Sequence, residues 1–283
     1  MANLCLGTVN FGVPYGINQY QVPKEEAFKI LDYATLNGID NFDTAKAYCS
    51  EEILGEYFRK NNKKAFITTK VDSLNIQADS SDSYVKLKNQ YTEIGVLLHR
   101  SKHIYNFFAM SDMAFIRKYI KKVGVSVYNP IDAIAAAKMG FDIIQIPYSP
   151  FDMQLDKTDF FKICANNEVV VYSRSAFFKG ILLMEIEQIP NGYVQKHSDI
   201  IENLIKFDKI TFKHGFSKKE AAFLFSLTHP NIDYVTFGVE SMEQLKENID
   251  IYNDKTKWDK FFECREELQN EFADVGISLA NMN

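Results

Sequence analysis

Short apolar runs of four or five residues recur along the chain, separated by longer stretches that mix polar and apolar positions. Runs of this length, rich in β-branched residues and bounded by turn residues, are typical of buried strands. Because they do not alternate polar with apolar residues, they favour strands covered on both faces, as in a parallel sheet. The predicted strands are residues 4–8, 39–42, 65–69, 94–98, 124–127, 143–146, 169–172 and 234–237.

The stretches between these runs predict helices. Pro23 opens the first of them, and Asn37–Gly38 ends it. Ser50 is predicted to cap the second. The polar stretch 79–82 predicts a loop before a short helix, and 173–216 predicts a loop plus a helix. The other predicted helices are residues 51–61, 112–121, 130–139, 158–166, 218–227 and 242–252.

The order of these elements predicts the fold class. Eight strand-then-helix units indicate an α/β protein whose parallel strands close into a (β/α)8 TIM barrel. We expect a single domain over residues 1–283, with a charged helical tail from about residue 255. No G-x-G-x-x-G motif follows a predicted strand, which argues against a Rossmann dinucleotide site.

Composition and charge narrow the class of protein. A net charge of −5 and a pI near 5.6 give no basic surface for nucleic acid. No apolar run approaches the ~20 residues of a membrane span, and no signal peptide is recognisable. The four cysteines are far apart and, like the histidines, lack metal-ligand spacing, so no metal site is predicted. We therefore expect a cytoplasmic protein with neither membrane nor nucleic acid as a partner.

Four polar side chains lie at or just beyond the ends of three successive predicted strands. They are Asp43 and Tyr48 after the second strand, Lys70 after the third and His99 after the fourth. Parallel neighbours end on the same edge of a sheet, so we expect these side chains to gather at one end of the barrel. A lysine ammonium lowers the pKa of a nearby tyrosine. This combination therefore predicts a proton donor for a carbonyl oxygen.

Spacing alone leaves a second interpretation of the same residues open. Tyr48 can be a loop aromatic, Asp43 and Lys70 a structural ion pair, and His99 a packed core residue.

These residues also resemble those of the aldo-keto reductase superfamily. The resemblance implies a (β/α)8 barrel that binds NADPH, or less often NADH, and reduces the carbonyl of a small molecule. It implies Tyr48 as the general acid, Lys70 and Asp43 as its partners, and His99 as the group that hydrogen-bonds the carbonyl. Residues 173–175 and 179–182 are similar to a branch found near sugar-modifying enzymes. The segments that carry the family resemblance are 43–48, 50–55, 68–71, 97–99, 124–126, Gln145 and 238–248.

The resemblance also implies a nicotinamide dinucleotide site, with three departures from the pattern of many relatives. Val127 stands where many have asparagine, directly after Ser126, for which the resemblance implies a contact with the carboxamide. Arg174 stands where many relatives have an aromatic side chain that stacks on the nicotinamide. A guanidinium plane can also stack. We therefore expect Arg174 either to pack on the nicotinamide ring or to reach an anionic substrate. Glu240 stands where NADPH-using relatives often have a cation for the 2′-phosphate, with Lys246 as a possible replacement, which leaves NADH and NADPH both open. The residues implied to bind the cofactor are Gly7, Thr8, Asp43, Ser126, Gln145, Arg174, Ser175, Gly238, Ser241, Gln244 and Asn248.

Two other functions compete with carbonyl reduction. One is a regulatory barrel that keeps the nicotinamide site but turns over little, because fold does not fix function. The other is a barrel isomerase or lyase acting on a sugar, which a glycine-rich phosphate loop near the seventh and eighth strands would favour. The substrate loops show no diagnostic chemistry, so an aldehyde, a ketose and a sugar intermediate are all candidate substrates.

Overall fold

The strands pair in chain order, and the eighth pairs with the first, so the sheet closes into a barrel of parallel strands. The structure is a computed structural model that describes residues 1–72, 76–105, 107, 112–196 and 198–275. The predicted (β/α)8 TIM barrel is confirmed. The strands are β1 (Asn3–Gly7), β2 (Asn41–Asp43), β3 (Ala65–Val71), β4 (Thr92–Leu98), β5 (Lys122–Ser126), β6 (Ile143–Pro147), β7 (Val170–Arg174) and β8 (Tyr234–Gly238).

Helices surround the barrel, and several of them begin at a residue whose side chain accepts a hydrogen bond from the first turn. Ser217 and Glu220 form a reciprocal capping box, and Asn129 accepts a hydrogen bond from the backbone of Asp132. The helices are α1 (Val9–Gly12), α2 (Lys24–Leu36), α3 (Glu51–Asn61), α4 (Ile76–Leu87), α5 (Met113–Tyr119), α6 (Pro130–Lys138), α7 (Phe160–Asn166), α8 (Asn191–Lys196), α9 (Ile200–Lys213), α10 (Lys218–Leu227), α11 (Met242–Asn253) and α12 (Lys255–Phe272).

Two polar regions are more ordered than the sequence predicts. Residues 79–82 lie inside α4 and not in a loop, because Ser80 and Ser83 are small enough to be buried against the barrel alongside Ile76 and Leu87. The region 173–216 contains α8, α9 and a 3-10 segment at Phe178–Leu183, where one helix was predicted.

The inward side chains of the strands change character along the barrel axis. A lower layer is apolar and aromatic, and it includes a stacked pair, Tyr172 and Tyr234, with ring centroids 4.6 Å apart. The Tyr172 hydroxyl donates a hydrogen bond to Asn41 Oδ1 at 2.8 Å, which satisfies its polar end. Above this layer the inward residues are polar. The prediction ended each strand where its apolar run ended, and β3 and β7 therefore continue two residues beyond their predicted ends. The lower layer comprises Cys5, Phe66, Leu97, Ile143, Val170, Tyr172 and Tyr234.

The helix α12 is attached to the barrel by a buried arginine. Arg265 donates to the Phe225 carbonyl, to Thr228 Oγ1 at 3.1 Å and to the Tyr148 hydroxyl at 3.0 Å. The Tyr148 hydroxyl in turn donates to Asp156 Oδ2 at 2.8 Å. Over the ranges that the structure describes, no helix has both the length and the apolar character needed to cross a membrane.

Candidate active site

A cavity of about 590 Å³ lies where the carboxyl ends of the strands meet. Its wall includes the last residue of β1, β2, β5, β7 and β8. The cavity therefore lies at the carboxyl end of the barrel, where the loops after the strands converge. All four residues predicted for catalysis line it. Of the residues predicted to bind a cofactor, Ser241 alone is absent from the described wall. The predicted residues that line the cavity are Gly7, Thr8, Asp43, Tyr48, Lys70, His99, Ser126, Gln145, Arg174, Ser175, Gly238, Gln244 and Asn248.

The centre of the site is a buried ion pair between β2 and β3. Lys70 Nζ lies 2.5 Å from Asp43 Oδ1 and 2.7 Å from Oδ2, and the residues are 2% and 5% exposed. Burial by itself would lower the pKa of Lys70, but the Asp43 carboxylate and the nearby Tyr48 outweigh burial and raise it. Lys70 also donates to the Thr44 carbonyl at 3.2 Å. The lysine is therefore held charged and in one orientation.

Tyr48 and His99 stand beside this ammonium group. Lys70 Nζ lies 5.2 Å from the centroid of the Tyr48 ring. The rings of Tyr48 and His99 meet edge to face, with centroids 5.6 Å apart. Burial, followed by the positive charge of Lys70, lowers the pKa of His99 to about 4. His99 is therefore a neutral imidazole at physiological pH.

The position of Tyr48 depends on a tight backbone contact with Gly12. Tyr48 ends a 3-10 turn, Lys46–Tyr48, and Cys49 then adopts a left-handed conformation with φ of 58°. A Cβ atom on Gly12 would lie 2.0 Å from the Tyr48 carbonyl oxygen, so only glycine permits this approach. Gly12 was not predicted as a site residue.

Three buried hydroxyl groups secure the same loop. Ser50 was predicted to cap α3, but its side chain makes no capping bond. Its hydroxyl lies 2.7 Å from Thr44 Oγ1 and 3.0 Å from Thr8 Oγ1, and Thr8 donates to the Asp43 carbonyl at 3.0 Å. The Thr8 hydroxyl thus donates one hydrogen bond and accepts another within the protein, and Thr8 borders the cavity.

Gln145 connects the ion pair to the rest of the cavity. Its Nε2 donates to Asp43 Oδ2 at 2.9 Å, and Thr68 Oγ1 donates to the same oxygen at 3.1 Å. Gln145 Oε1 is buried without a hydrogen-bond partner in the described part of the chain. A buried acceptor of this kind is costly unless a ligand or water supplies a donor.

Arg174 reaches from β7 to the end of β5. Its guanidinium lies 4.2 Å from the centroid of the Tyr128 ring, close enough for a cation–π contact. It donates to Ser126 Oγ at 3.3 Å, to Ser175 Oγ at 3.5 Å and to the Val127 carbonyl at 3.2 Å. Tyr128 was not predicted as a site residue. The printed sequence offers no signal for it beyond an aromatic side chain just after a strand.

The wall near β8 is built from the first turns of α11 and from the loop after α1. Glu240 Oε2 accepts a hydrogen bond from Asn18 Nδ2 at 3.3 Å, and the Glu240 backbone donates to Gln244 Oε1 at 2.8 Å. Ser241 is the N-cap of α11, and its hydroxyl accepts from the Gln244 backbone at 3.3 Å. Asn248 is 1% exposed, and its Oδ1 lacks a hydrogen-bond partner in the residues described.

The charged side chains near α11 differ from the expectation. Lys246, the candidate to replace a missing cation, lies 5.7 Å from the centroid of the Tyr33 ring and does not border the cavity. Lys219 does border it, but its Nζ lies 2.5 Å from Glu247 Oε2. No group of three or more His, Cys, Asp or Glu side chains within the described ranges is arranged to hold a metal ion.

The residues of the cavity suit a long ligand with nitrogen donors at separate points. Gln145 Oε1 needs a donor at the strand ends, and Asn248 Oδ1 needs one beside α11. A nicotinamide dinucleotide carries a carboxamide on one ring and an amino group on the other, so it fits both requirements.

Relatives of this chain were found among curated proteins and solved structures. The uncharacterized oxidoreductase YqkF of Bacillus subtilis (strain 168) is 25% identical over 263 residues, which cover 81% of this chain and 83% of that protein. The uncharacterized oxidoreductase YrpG of the same organism is 37% identical over 81 residues, which cover 25% of this chain and 23% of that protein.

Two solved structures share the fold. The aldo-keto reductase AKR11C1 from Bacillus halodurans, in its holo form, has a TM-score of 0.74 and 18% identity, covering 99% of this chain and 95% of its own. The glycerol dehydrogenase AKR11B4 from Gluconobacter oxydans has a TM-score of 0.73 and 19% identity, and the match covers 97% of this chain and 93% of that protein.

The family itself is shown by a match that spans nearly the whole chain. The model of the aldo/keto reductase family matches residues 3–268, which include every strand of the barrel and every side chain of the ion-pair site. This chain belongs to the aldo/keto reductase family.

Proposed function

We propose that this chain is a carbonyl reductase that uses a reduced nicotinamide dinucleotide to convert a small aldehyde or ketone to an alcohol. The observation that carries the proposal is the buried Lys70–Asp43 pair beside Tyr48 in the wall of the cavity. Membership of the family and the oxidoreductase names of the two Bacillus relatives support the same reaction class.

Tyr48 is the proposed general acid. When its proton passes to the substrate oxygen, a phenolate forms 5.2 Å (ring centroid to Nζ) from the Lys70 ammonium, and the positive charge stabilises it. Asp43 keeps Lys70 charged and prevents it from turning away, because both carboxylate oxygens accept its protons. General acid catalysis of this kind contributes roughly 10²- to 10⁴-fold to a rate.

His99 is proposed to orient the carbonyl. A neutral imidazole offers one N–H donor, which can hydrogen-bond the carbonyl oxygen as Tyr48 approaches it. Because the pKa of His99 is about 4, this donor does not bring a second positive charge next to Lys70 at neutral pH. The proposed role therefore requires the imidazole to stay neutral over the working range.

The cofactor, when bound, supplies the hydride that adds to the carbonyl carbon. Ser126 and Gln145 are the proposed carboxamide contacts, since they are register partners on neighbouring strands and Gln145 Oε1 has no hydrogen-bond partner among the described residues. Asn248 is the proposed adenine contact. The remaining proposed cofactor residues, by their position on the wall, are Gly7, Thr8, Asp43, Arg174, Ser175, Gly238 and Gln244, with Ser241 acting through α11.

Arg174 is proposed to lie against the nicotinamide. The hydrogen bonds of its guanidinium within the described residues go to two hydroxyl groups and a carbonyl, so no carboxylate there neutralises it. A fixed positive charge at this place favours the neutral reduced ring over the positively charged oxidised ring. The cavity would then retain reduced cofactor and release oxidised cofactor, which suits the reductive direction.

Replacing Tyr48 tests the reductase proposal. With purified protein and nitrobenzaldehyde, Tyr48→Phe should lower turnover by roughly 10²- to 10⁴-fold because the proton donor is gone. The dissociation constant of the reduced cofactor, from a fluorescence titration, should stay within about twofold, since no cofactor role is assigned to the hydroxyl. Tyr20→Phe, at an exposed tyrosine outside the cavity wall, is the matched control. If the wild-type protein binds the cofactor but does not turn over the aldehyde, the regulatory barrel is favoured instead.

The protonation of His99 gives a prediction about pH. Its folded pKa of about 4 lies below the unfolded value of about 6.5, so the neutral side chain stabilises the fold above pH 6.5. That contribution declines as the pH falls from 6.5 towards 4, because the unfolded chain then binds the proton first. An NMR titration, with the resonance assigned through His99→Gln, should give a midpoint near 4. A midpoint near 6.5 would show that the site does not hold a neutral imidazole.

The charge of Arg174 should appear in the ratio of cofactor affinities. Arg174→Ala should raise the affinity for oxidised relative to reduced cofactor by roughly tenfold, because an uncancelled positive charge is removed from beside the ring. Arg174→Lys, which keeps the charge, should retain most of the wild-type ratio. Both ratios come from fluorescence or calorimetric titrations. An unchanged ratio in Arg174→Ala would rule out the proposed position.

A further inference from the structure

We infer that the cavity selects NADH over NADPH, because the wall near β8 is rich in acceptors and carries the Glu240 carboxylate at the position where the family resemblance implies a cation for the 2′-phosphate. The inference rests on the proposed function, and it concerns the residues Glu240, Glu247, Asn248 and Lys219. It departs from the NADPH use that the family resemblance implies.

Glu240 is the first part of this wall. It lines the cavity directly after β8, and its carboxylate accepts one hydrogen bond, from the neutral amide of Asn18. No lysine, arginine or histidine nitrogen of the described chain lies within the 4.0 Å of an ion pair with it. The hairpin that carries Asn18 also brings Gly16 against the same carboxylate. Glu240 is therefore a half-buried negative charge held in place by neutral partners.

The cations nearest to this wall are already used or point elsewhere. Lys219 lines the cavity, but Glu247 neutralises it at 2.5 Å. Lys246 lies over the Tyr33 ring, outside the cavity. Lys179 lines the cavity from the segment after β7 and not from the wall near β8.

The hydrogen-bonding groups of the wall near β8 also favour NADH over NADPH. Glu240 offers carboxylate oxygens, and Asn248 Oδ1 is a buried acceptor without a partner. Ribose hydroxyl groups and an adenine amino group are donors, so they satisfy these acceptors. A 2′-phosphate carries a charge of about −1.5 to −2 at pH 7 and offers only acceptors. It would meet a carboxylate at close range, which is unfavourable.

Titrations of the wild-type protein with NADH and with NADPH test the inference directly. The dissociation constant of NADH should be lower by roughly tenfold or more, the effect of one charge-assisted hydrogen bond gained or one repulsion removed. Quenching of protein fluorescence measures both constants without requiring any substrate.

Three variants assign the preference to the named charges. Glu240→Gln should weaken NADH binding and strengthen NADPH binding. The ratio of the NADPH to the NADH dissociation constant should therefore fall roughly tenfold. Glu247→Gln should release Lys219 and strengthen NADPH binding, with little change for NADH. Glu243→Gln is the matched control, because it removes the same charge from an exposed position in the first turn of α11 that does not line the cavity. The ratio of the two dissociation constants in this control should stay within about twofold of the wild-type ratio.

The outcomes separate this inference from the proposal on which it rests. Binding of both cofactors with NADPH equal to or tighter than NADH overturns the inference and leaves the reductase proposal intact. A ratio that Glu240→Gln does not change overturns the role of Glu240. Failure of both cofactors to bind overturns the proposed function and the inference together.

Discussion

The buried pair of Lys70 and Asp43 is the interaction on which the rest of the site depends. Removing two charges from water costs several kcal/mol for each ion, and their attraction offsets this only when the geometry and the remaining hydrogen bonds are complete. Here they are complete. Lys70 has acceptors for its three N–H groups in the two Asp43 oxygens and the Thr44 carbonyl, while Thr68 and Gln145 complete the carboxylate.

This pair sets the electrostatics of one end of the cavity. The charge held on Lys70 adds to burial in keeping His99 neutral, and it lies beside the ring of Tyr48. Arg174 adds a second cation a short distance away, held by neutral groups and by the face of Tyr128. The wall near β8 has the opposite character, since Glu240 forms no ion pair within the described residues and Lys219 is paired with Glu247. A long ligand in this cavity therefore meets positive charge at one end and acceptors at the other.

The sequence predicted the fold and the positions of the proposed catalytic side chains because both follow from local patterns. Eight apolar runs identify eight strands, and polar residues at their carboxyl ends must share one end of a parallel barrel. Asp43, Tyr48, Lys70 and His99 meet for that reason. For β3 and β7 the runs placed the strand ends two residues too early, because the last inward residues of these strands face the cavity and are polar.

Contacts made across the barrel mouth could not be predicted in the same way. The contact of Arg174 with Tyr128, the packing of Gly12 against the Tyr48 backbone and the pairing of Lys219 with Glu247 all join segments far apart in the chain. The direction of a side chain on a helix also decides whether it borders the cavity. Lys246 and Glu247 are neighbours in sequence, yet one faces Tyr33 and the other faces the cavity.

The most direct test of the central claim removes both charges of the ion pair together. The double variant Asp43→Asn/Lys70→Met leaves no unpaired buried charge, so it should fold. Because Asp43 is also a proposed cofactor residue, the variant is assayed at a saturating concentration of reduced cofactor. Single-turnover hydride transfer to nitrobenzaldehyde, followed by stopped-flow absorbance, should nevertheless be slower by at least roughly 100-fold. Transfer at the wild-type rate in this variant would contradict the account, since proton donation would then not need the buried ammonium group.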